Sequence, residues 1–213
     1  MSTLAAPVTD YATPASAERV SQTAAAVEAR GIKVKVVDTA AAALDTVRSL
    51  IPAGATIMTG ASITLQQIGL EKVLTDKDHH WLNLKDEMLA QTDPALQMEL
   101  RMKSTLSPYY LGSVQAITEN GEIVIASASG SQLPAYAFSS RNVIWVAGTQ
   151  KIVPTLPDAL DRLYNYSLPK EHERAQAMYG RNSVLAKILI VAQEPPMMGR
   201  NINLILVNEP VGV

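Results

Sequence analysis

The sequence predicts an α/β fold in which a mainly parallel sheet is flanked by helices and carries one antiparallel hairpin. Segments with a helical spacing of apolar residues alternate with short apolar runs that are typical of buried strands. Two such runs flank the pair Asn120-Gly121, a tight-turn signal that indicates a hairpin. Of the 213 residues, 47% are hydrophobic, which is enough to bury one large core.

The first third of the chain predicts an arm followed by a helix and a strand. Residues 1–14 are small, Pro-containing and aperiodic, so we expect a flexible N-terminal arm there and a single domain over residues 15–213. Val20 and Val27 lie on one face of the first predicted helix, which ends at Gly31. The alternating run IKVKVVD then predicts a strand.

A second helix–strand unit precedes a long segment of different character. Apolar spacing from Leu44 to Ile51 predicts the helix, and ATIMTG predicts a short buried strand that ends at Gly60. The segment from Glu71 to Leu111 shows no apolar run that favours a strand. We therefore expect it to be helical and partly exposed.

The second half of the chain is predicted to contain most of the strands. After the hairpin, NVIWVAG predicts a buried strand, and TLPDALDRLY predicts a helix with Thr155 as N-cap and Asp158 completing a capping box. VLAKILIVAQ and INLILVN predict the last two strands. The prolines of EPPMMGR separate them, because proline cannot continue either strand.

Composition excludes several classes of function. Lys and Arg number 18 against 20 Asp and Glu, without a basic stripe, so nucleic-acid binding is not expected and partners are predicted to be small molecules or proteins. The absence of cysteine excludes disulfides, cysteine nucleophiles and cysteine-ligated iron–sulfur clusters. No secretory signal or membrane span is evident, which predicts a cytoplasmic protein.

The turn after the strand ATIMT is the first candidate site. Gly60 and Ser62 are placed to bind an anion, with Thr64 one turn further on, because ligands of open α/β sheets collect at the carboxyl ends of strands. The alternative is an ordinary strand-end glycine followed by a helix-capping serine.

The hairpin turn and the loop after it form the second candidate. Glu119 is flanked by apolar strands, so a raised pKa would suit it as nucleophile or base, although a solvated turn residue is the commoner fate. The following loop offers hydroxyls and N–H groups for a phosphate or carboxylate, or is simply a polar loop. Its candidate residues are Ser127, Ser129, Gly130 and Ser131.

Two basic residues complete the predicted site. Lys151 lies three residues after Gly148, so both emerge at the carboxyl end of a strand, and we expect Lys151 to be catalytic unless it is a surface lysine. Arg200 precedes the last strand, where it either binds a ligand carboxylate or faces water.

Metal and cofactor motifs are not evident. The run from Asp76 to His80 holds two adjacent histidines but lacks the i, i+4 spacing of helical zinc sites, so we predict no metal there. No dinucleotide-binding glycine motif, phosphate-binding loop or nucleophile elbow occurs. The cofactor therefore stays unknown.

These residues also carry a family resemblance. The succession GASITLQQIG, YYLGSVQAITENGEIVIASASGSQLPAYAFSSRNVIWVAGTQKIVPTLPDAL, YSLPKEHERA and GRNINLILVNEPVG resembles the LUD-domain family, the lactate-utilisation proteins of LutC/YkgG type. The likeness runs from about Gly54 onward and is most specific between Gly112 and Pro154. It implies a NagB/RpiA/CoA transferase-like fold, in which Gly60, Ser62 and Thr64 match a turn that binds phosphate or acyl groups.

The resemblance implies two competing functions. One is a non-redox component of L-lactate oxidation to pyruvate, which binds a small anionic metabolite and works with an iron–sulfur partner subunit. The other is a stand-alone CoA transferase-like or sugar-phosphate enzyme, because TENG is similar to the Ser-Glu-Asn-Gly signature whose glutamate attacks acyl-CoA thioesters, here Glu119. Apolar runs in the last third, together with the arm, also make a homodimer an expectation.

Overall fold

The computed structural model describes residues 10–213. Most of the predicted arm, residues 1–9, lies outside this range. Within its described part, Tyr11 is 8% exposed, and its hydroxyl donates to an Asp161 carboxylate oxygen at 2.5 Å. This end of the arm segment therefore packs against the domain.

The described residues form eight α-helices and ten strands. The α-helices are α1 (Ala17–Ala29), α2 (Ala40–Leu50), α3 (Ile63–Gln67), α4 (Leu70–Thr75), α5 (Leu84–Ala90), α6 (Pro94–Lys103), α7 (Leu156–Arg162) and α8 (Leu168–Tyr179). The strands are β1 (Lys33–Val37), β2 (Thr56–Thr59), β3 (Leu82–Asn83), β4 (Tyr109–Gly112), β5 (Ala116–Thr118), β6 (Ile123–Ser127), β7 (Asn142–Gly148), β8 (Ile152–Val153), β9 (Lys187–Val191) and β10 (Asn201–Val207). Within the described range, no helix is long and apolar enough to cross a membrane.

The larger sheet, sheet A, has six strands in the order β1-β10-β7-β4-β2-β3. Every neighbouring pair in it is parallel. This architecture confirms the predicted α/β fold with a mainly parallel sheet. Because the strands are parallel, their carboxyl ends lie along one edge, which we call the carboxyl edge.

The smaller sheet, sheet B, contains the predicted hairpin. Its order is β8-β5-β6-β9, with β6 antiparallel to both neighbours and β5 parallel to β8. The hairpin β5–β6 is thus confirmed. It does not extend sheet A, however, because the chain leaves sheet A after β4 and enters a second sheet at β5.

The prediction that the segment from Glu71 to Leu111 lacks a strand was wrong. It contains β3 and most of β4, and β4 is an internal strand paired with both β2 and β7. The run Tyr109–Gly112 is only four residues long and follows helix α6 and a single 3-10 turn, so it carries little periodicity of its own. Pairing on both sides, rather than local preference, makes it a strand.

The central strands β7 and β10 of sheet A are buried on both faces. Along β7, Trp145 packs into the cluster that includes α1, whereas the adjacent Ile144 packs into the cluster that includes α2. Both side chains are at most 1% exposed. Such double coverage explains why the strands of a parallel sheet appear as continuous apolar runs in the sequence.

Candidate functional site

Four segments that follow neighbouring strands of sheet A converge at its carboxyl edge. Helix α3 follows β2, Ser113 follows β4, Lys151 follows β7, and residues 208–213 follow β10. Strands β2, β4, β7 and β10 are adjacent in the sheet. Side chains far apart in sequence are therefore brought together at the place where α/β sheets usually bind ligands.

A cluster of three side chains, Thr64, Ser113 and Lys151, lies at the centre of this edge. The Lys151 Nζ lies 3.2 Å from Thr64 Oγ1 and 3.1 Å from Ser113 Oγ, and it donates to the Val114 carbonyl at 3.0 Å. The two hydroxyl oxygens are themselves 3.0 Å apart. The three side chains thus form a closed triangle of hydrogen bonds, which we call the Lys151 cluster.

Lys151 is the most unusual member of the cluster because its amine is buried without a charged partner. Its side chain is among the largest of the fully buried ones, and no carboxylate of residues 10–213 forms an ion pair with it. Burial holds the pKa of Lys151 well below its usual range, and the positive charge of Arg162 lowers that pKa further. The amine is therefore poised to gain a proton when an anion binds beside it.

Arg162 is a second buried basic residue close to this edge. It is fully buried, and it donates to the Gln115 carbonyl at 2.5 Å and to Ser167 Oγ at 2.9 Å. Its Nε and one Nη have no hydrogen-bond partner among the described residues, and its guanidinium lies over the Tyr166 ring, 5.0 Å from the centroid. Burial lowers the pKa of Arg162 to about 10. Segment 113–115 thus contacts two buried basic side chains, Lys151 through the Val114 carbonyl and Arg162 through that of Gln115.

The segment after β10 covers one side of the Lys151 cluster. Gly212 has φ +76°, and a Cβ built on it would collide with Thr64 Oγ1 and lie 2.6 Å from Lys151 Nζ. The Gly212 N–H donates to Gln67 Oε1 at 2.5 Å, and Gln150 Nε2 donates to the Val211 carbonyl at 3.0 Å. Access to the cluster is therefore from the side of Ser113, which is partly exposed.

The glycines and serine predicted around this edge have distinct roles. Gly148 ends β7, where a Cβ would lie 2.7 Å from the Glu209 carbonyl oxygen, so it lets the segment after β10 pack closely. Ser62 is the N-cap of α3 and accepts from the Leu65 N–H at 3.3 Å. Gly60 follows β2, two residues before Ser62, and a Cβ built on it would make only ordinary contacts, at 3.9 Å, with Gln132 and Tyr136.

The Ser/Gly loop after β6 approaches the edge but does not join the cluster. Ser127 Oγ donates to Gln132 Oε1 at 2.9 Å and accepts from the Gly130 N–H at 2.8 Å, while Ser129 Oγ donates to Ser131 Oγ at 3.1 Å. Gln132 in turn lies near Gly60, since its Cβ is 3.9 Å from a Cβ built on that glycine. Among the described hydrogen bonds, none links this loop to Lys151.

Arg200 lies elsewhere, at the amino end of β10. Its guanidinium donates to Glu194 Oε2 at 2.8 Å and to backbone carbonyls at 2.9–3.2 Å, which belong to Ala135, Tyr136, Ala137 and Ser140. Only 6% of the Arg200 side chain is exposed. Its hydrogen bonds hold Glu194 and these backbone carbonyls together. The structure does not bring it to the other predicted site residues.

Glu119 is likewise separate from the cluster. Its carboxylate accepts from Arg19 Nε at 2.7 Å, and the two side chains are 36% and 40% exposed. Ile152, the residue after Lys151, is paired with Ile117, and strands rise about 3.3 Å per residue, so Glu119 lies farther along sheet B. In the described structure Glu119 therefore joins the hairpin turn to α1.

Glu119→Gln is expected to leave the site intact. Because the ion pair is half exposed, the free energy of unfolding should fall by less than about 1 kcal/mol. Any ligand-induced rise in melting temperature should be unchanged. Urea denaturation measures the change in the free energy of unfolding, and thermal unfolding with pyruvate measures the ligand-induced shift. Loss of that shift in Glu119→Gln would show that Glu119 takes part in binding.

Two residues of the site, Ser113 and Gln150, are not among the candidates that the sequence predicts. Ser113 follows β4, a strand that the sequence does not predict, although LGS after an apolar run parallels the TGAS that ends β2. Gln150 fixes the segment after β10 but belongs to no sequence motif.

The described residues contain no group of three or more His, Asp or Glu able to hold a metal ion. His79 stacks on Trp81 with ring centroids 5.3 Å apart.

Comparisons with known proteins identify a matching family model and similar solved structures. A model of the LUD domain family matches residues 20–187. The crystal structure of a DUF162 family protein from Deinococcus radiodurans shares the fold, with a TM-score of 0.55 and 15% identity over 92% of this chain and 100% of that one. Chaetomium thermophilum eIF2B beta is more distant, with a TM-score of 0.37 and 15% identity over 54% of this chain and 42% of that one. No curated protein matches the sequence.

Proposed function

Since the chain belongs to the LUD domain family, whose members take part in lactate utilisation, we propose that it is a LutC/YkgG-type, non-redox component of L-lactate oxidation to pyruvate. In this role it binds a small carboxylate at the Lys151 cluster. The sequence contains no cysteine to ligate an iron–sulfur cluster, so electrons from lactate pass to a partner subunit.

The buried amine of Lys151, which has no ion-pair partner among the described residues, is the observation that carries the proposal. A buried ammonium without a counter-ion is costly, so its presence at the carboxyl edge of the sheet favours a role in binding rather than in stability. A carboxylate beside Nζ supplies the missing negative charge. The hydroxyls of Thr64 and Ser113 lie within 3.2 Å of Nζ and are placed to donate to the oxygens of the bound carboxylate.

A thermal-shift experiment tests this proposal. Pyruvate and L-lactate are expected to raise the melting temperature, with about 2.7 kcal/mol of stabilisation at a hundredfold excess over the dissociation constant. Propane-1,2-diol, which lacks the carboxylate, is the matched ligand control. Lys103 is 67% exposed and paired with Glu99, so Lys103→Met is the matched control for Lys151→Met. An equal shift with the diol, or no shift with either acid, contradicts the proposal.

Binding is expected to weaken as pH rises. Above its lowered pKa, Lys151 is neutral in the free protein, so carboxylate binding must take up one proton. The affinity for the carboxylate should therefore fall about tenfold per pH unit above the lowered pKa of Lys151, and it should be independent of pH below that pKa. Isothermal titration calorimetry from pH 5 to 9 measures the slope. A pH-independent affinity would show that Lys151 does not contact the carboxylate.

A further inference from the structure

We infer that Ser113 is a nucleophile for acyl transfer and that Lys151 is its general base. The amine Nζ lies 3.1 Å from Ser113 Oγ, within the reach that proton transfer requires. Thr64 Oγ1 contacts both atoms, at 3.2 Å from Nζ and 3.0 Å from Ser113 Oγ. A nucleophile, a base and a third orienting group in mutual contact are the arrangement used by serine–lysine enzymes.

Lys151 has the surroundings that a basic amine needs. It is 2% exposed, and its hydrogen-bond partners are two hydroxyls and the Val114 carbonyl, all of them neutral. Burial and the nearby charge of Arg162 both lower the pKa of Lys151, which favours the neutral amine. In that state, Nζ donates to the Val114 carbonyl and to Thr64, and its lone pair accepts from the Ser113 hydroxyl.

Exposure distinguishes the two hydroxyls. Thr64 is 2% exposed and its oxygen lies beneath Gly212, whereas Ser113 is partly exposed. Only Ser113 therefore combines contact with the base and access for a substrate. Thr64 is a positioning residue, since it holds the amine and the nucleophilic oxygen at a fixed separation.

The expected substrates are activated acyl compounds, namely esters or thioesters. Ser113 Oγ forms a bond with the carbonyl carbon while its proton passes to Lys151 Nζ. The bond to the alkoxide or thiolate then breaks, and the leaving group takes that proton from Nζ. A water molecule then gives a proton to the same amine while its oxygen forms a bond with the acyl carbon. The bond from that carbon to Ser113 Oγ breaks, the acid leaves, and Oγ takes the proton back from Nζ, so protons and electron pairs balance.

Diisopropyl fluorophosphate tests this inference without knowledge of the substrate. Ser113 Oγ attacks the phosphorus, fluoride leaves, and one diisopropylphosphoryl group is added to the peptide that contains Ser113. The wild-type labelling rate should rise with pH until Lys151 is neutral. Ser113→Ala should abolish labelling, and Lys151→Met should slow it by at least about a hundredfold and remove the pH dependence. Thr64→Val should slow labelling yet keep the pH dependence.

Ser49→Ala is the control variant, because Ser49 is an exposed serine on α2, and it should label at the wild-type rate. Circular dichroism of every variant checks that it is folded. No label on the wild type, a label on another residue, or wild-type rates in Lys151→Met would overturn the inference.

The labelling test is independent of the proposed function. Labelling without a pyruvate-induced shift refutes the binding role alone, and a pyruvate-induced shift without labelling refutes the role of Ser113 as nucleophile alone.

Discussion

Gly121→Ala is expected to lower the free energy of unfolding by at least about 3 kcal/mol. Gly121 has φ +93°, a conformation that strains any residue with a Cβ. A Cβ there would also lie 2.7 Å from the carbonyl carbon and oxygen of Ala26 and 2.8 Å from the Val27 nitrogen. These are backbone atoms of α1, so no side-chain rotation relieves the contact.

Gly54→Ala separates the two causes. Gly54 has φ +78°, yet its built Cβ meets nothing within 4 Å, so only the backbone strain of about 1 kcal/mol applies. Urea denaturation of both variants measures the difference between them. Equal losses at the two positions would mean that the turn does not pack tightly on α1.

This packing gives the TENG turn a structural role. Arg19 of α1 pairs with Glu119, and Arg30 donates to the Asn120 carbonyl at 2.6 Å. Arg30 also pairs with Glu122 at 3.3 Å. The acidic turn therefore holds sheet B against the helix that covers sheet A.

Lys151→Met is expected to abolish the pyruvate-induced shift while making the protein more stable. Methionine has a similar length and carries no charge, so replacing the buried amine should add about 1–3 kcal/mol to the free energy of unfolding at pH 7. An effect of this sign identifies a residue retained for function at a cost in stability.

Lys151 should also contribute a pH dependence to the stability of the wild type. Between the lowered pKa of Lys151 in the folded state and about 10.4 in the unfolded chain, the unfolded state binds the extra proton, so this contribution to stability rises with pH. Lys151→Met should remove this contribution. Lys103→Met should keep it and leave the free energy of unfolding nearly unchanged, because Lys103 is exposed. A Lys151→Met variant that is strongly destabilised would show that the amine supports the fold.

Much of the fold was predictable because most elements carry their own signals. The capping box of Thr155 and Asp158 marked α7, and the Asn120-Gly121 turn marked the hairpin; both occur as expected. The division into two sheets was not predictable, since the chain passes from β4 to β5 through Ser113, Val114 and Gln115 without a turn signal.

The site was predictable only where sheet topology determines it. Parallel strands place their carboxyl ends on one edge, so Thr64 and Lys151 were expected to meet, and they do. The backbone carbonyl of Ser140 that binds Arg200 lies 60 residues away, and the Arg19 partner of Glu119 lies 100 residues away, so no local pattern predicts either contact. Both residues were therefore predicted in a site from which the fold separates them.

A titration of the Lys151 side chain tests the central claim most directly. Carbon-13 NMR of protein labelled at lysine Cε, with Lys151→Met to assign the signal, reports the protonation of this one amine. We predict a pKa well below 10.5 in the free protein and a higher pKa when pyruvate is saturating. A Lys151 signal that titrates at the ordinary value, or one that pyruvate leaves unchanged, would contradict the account.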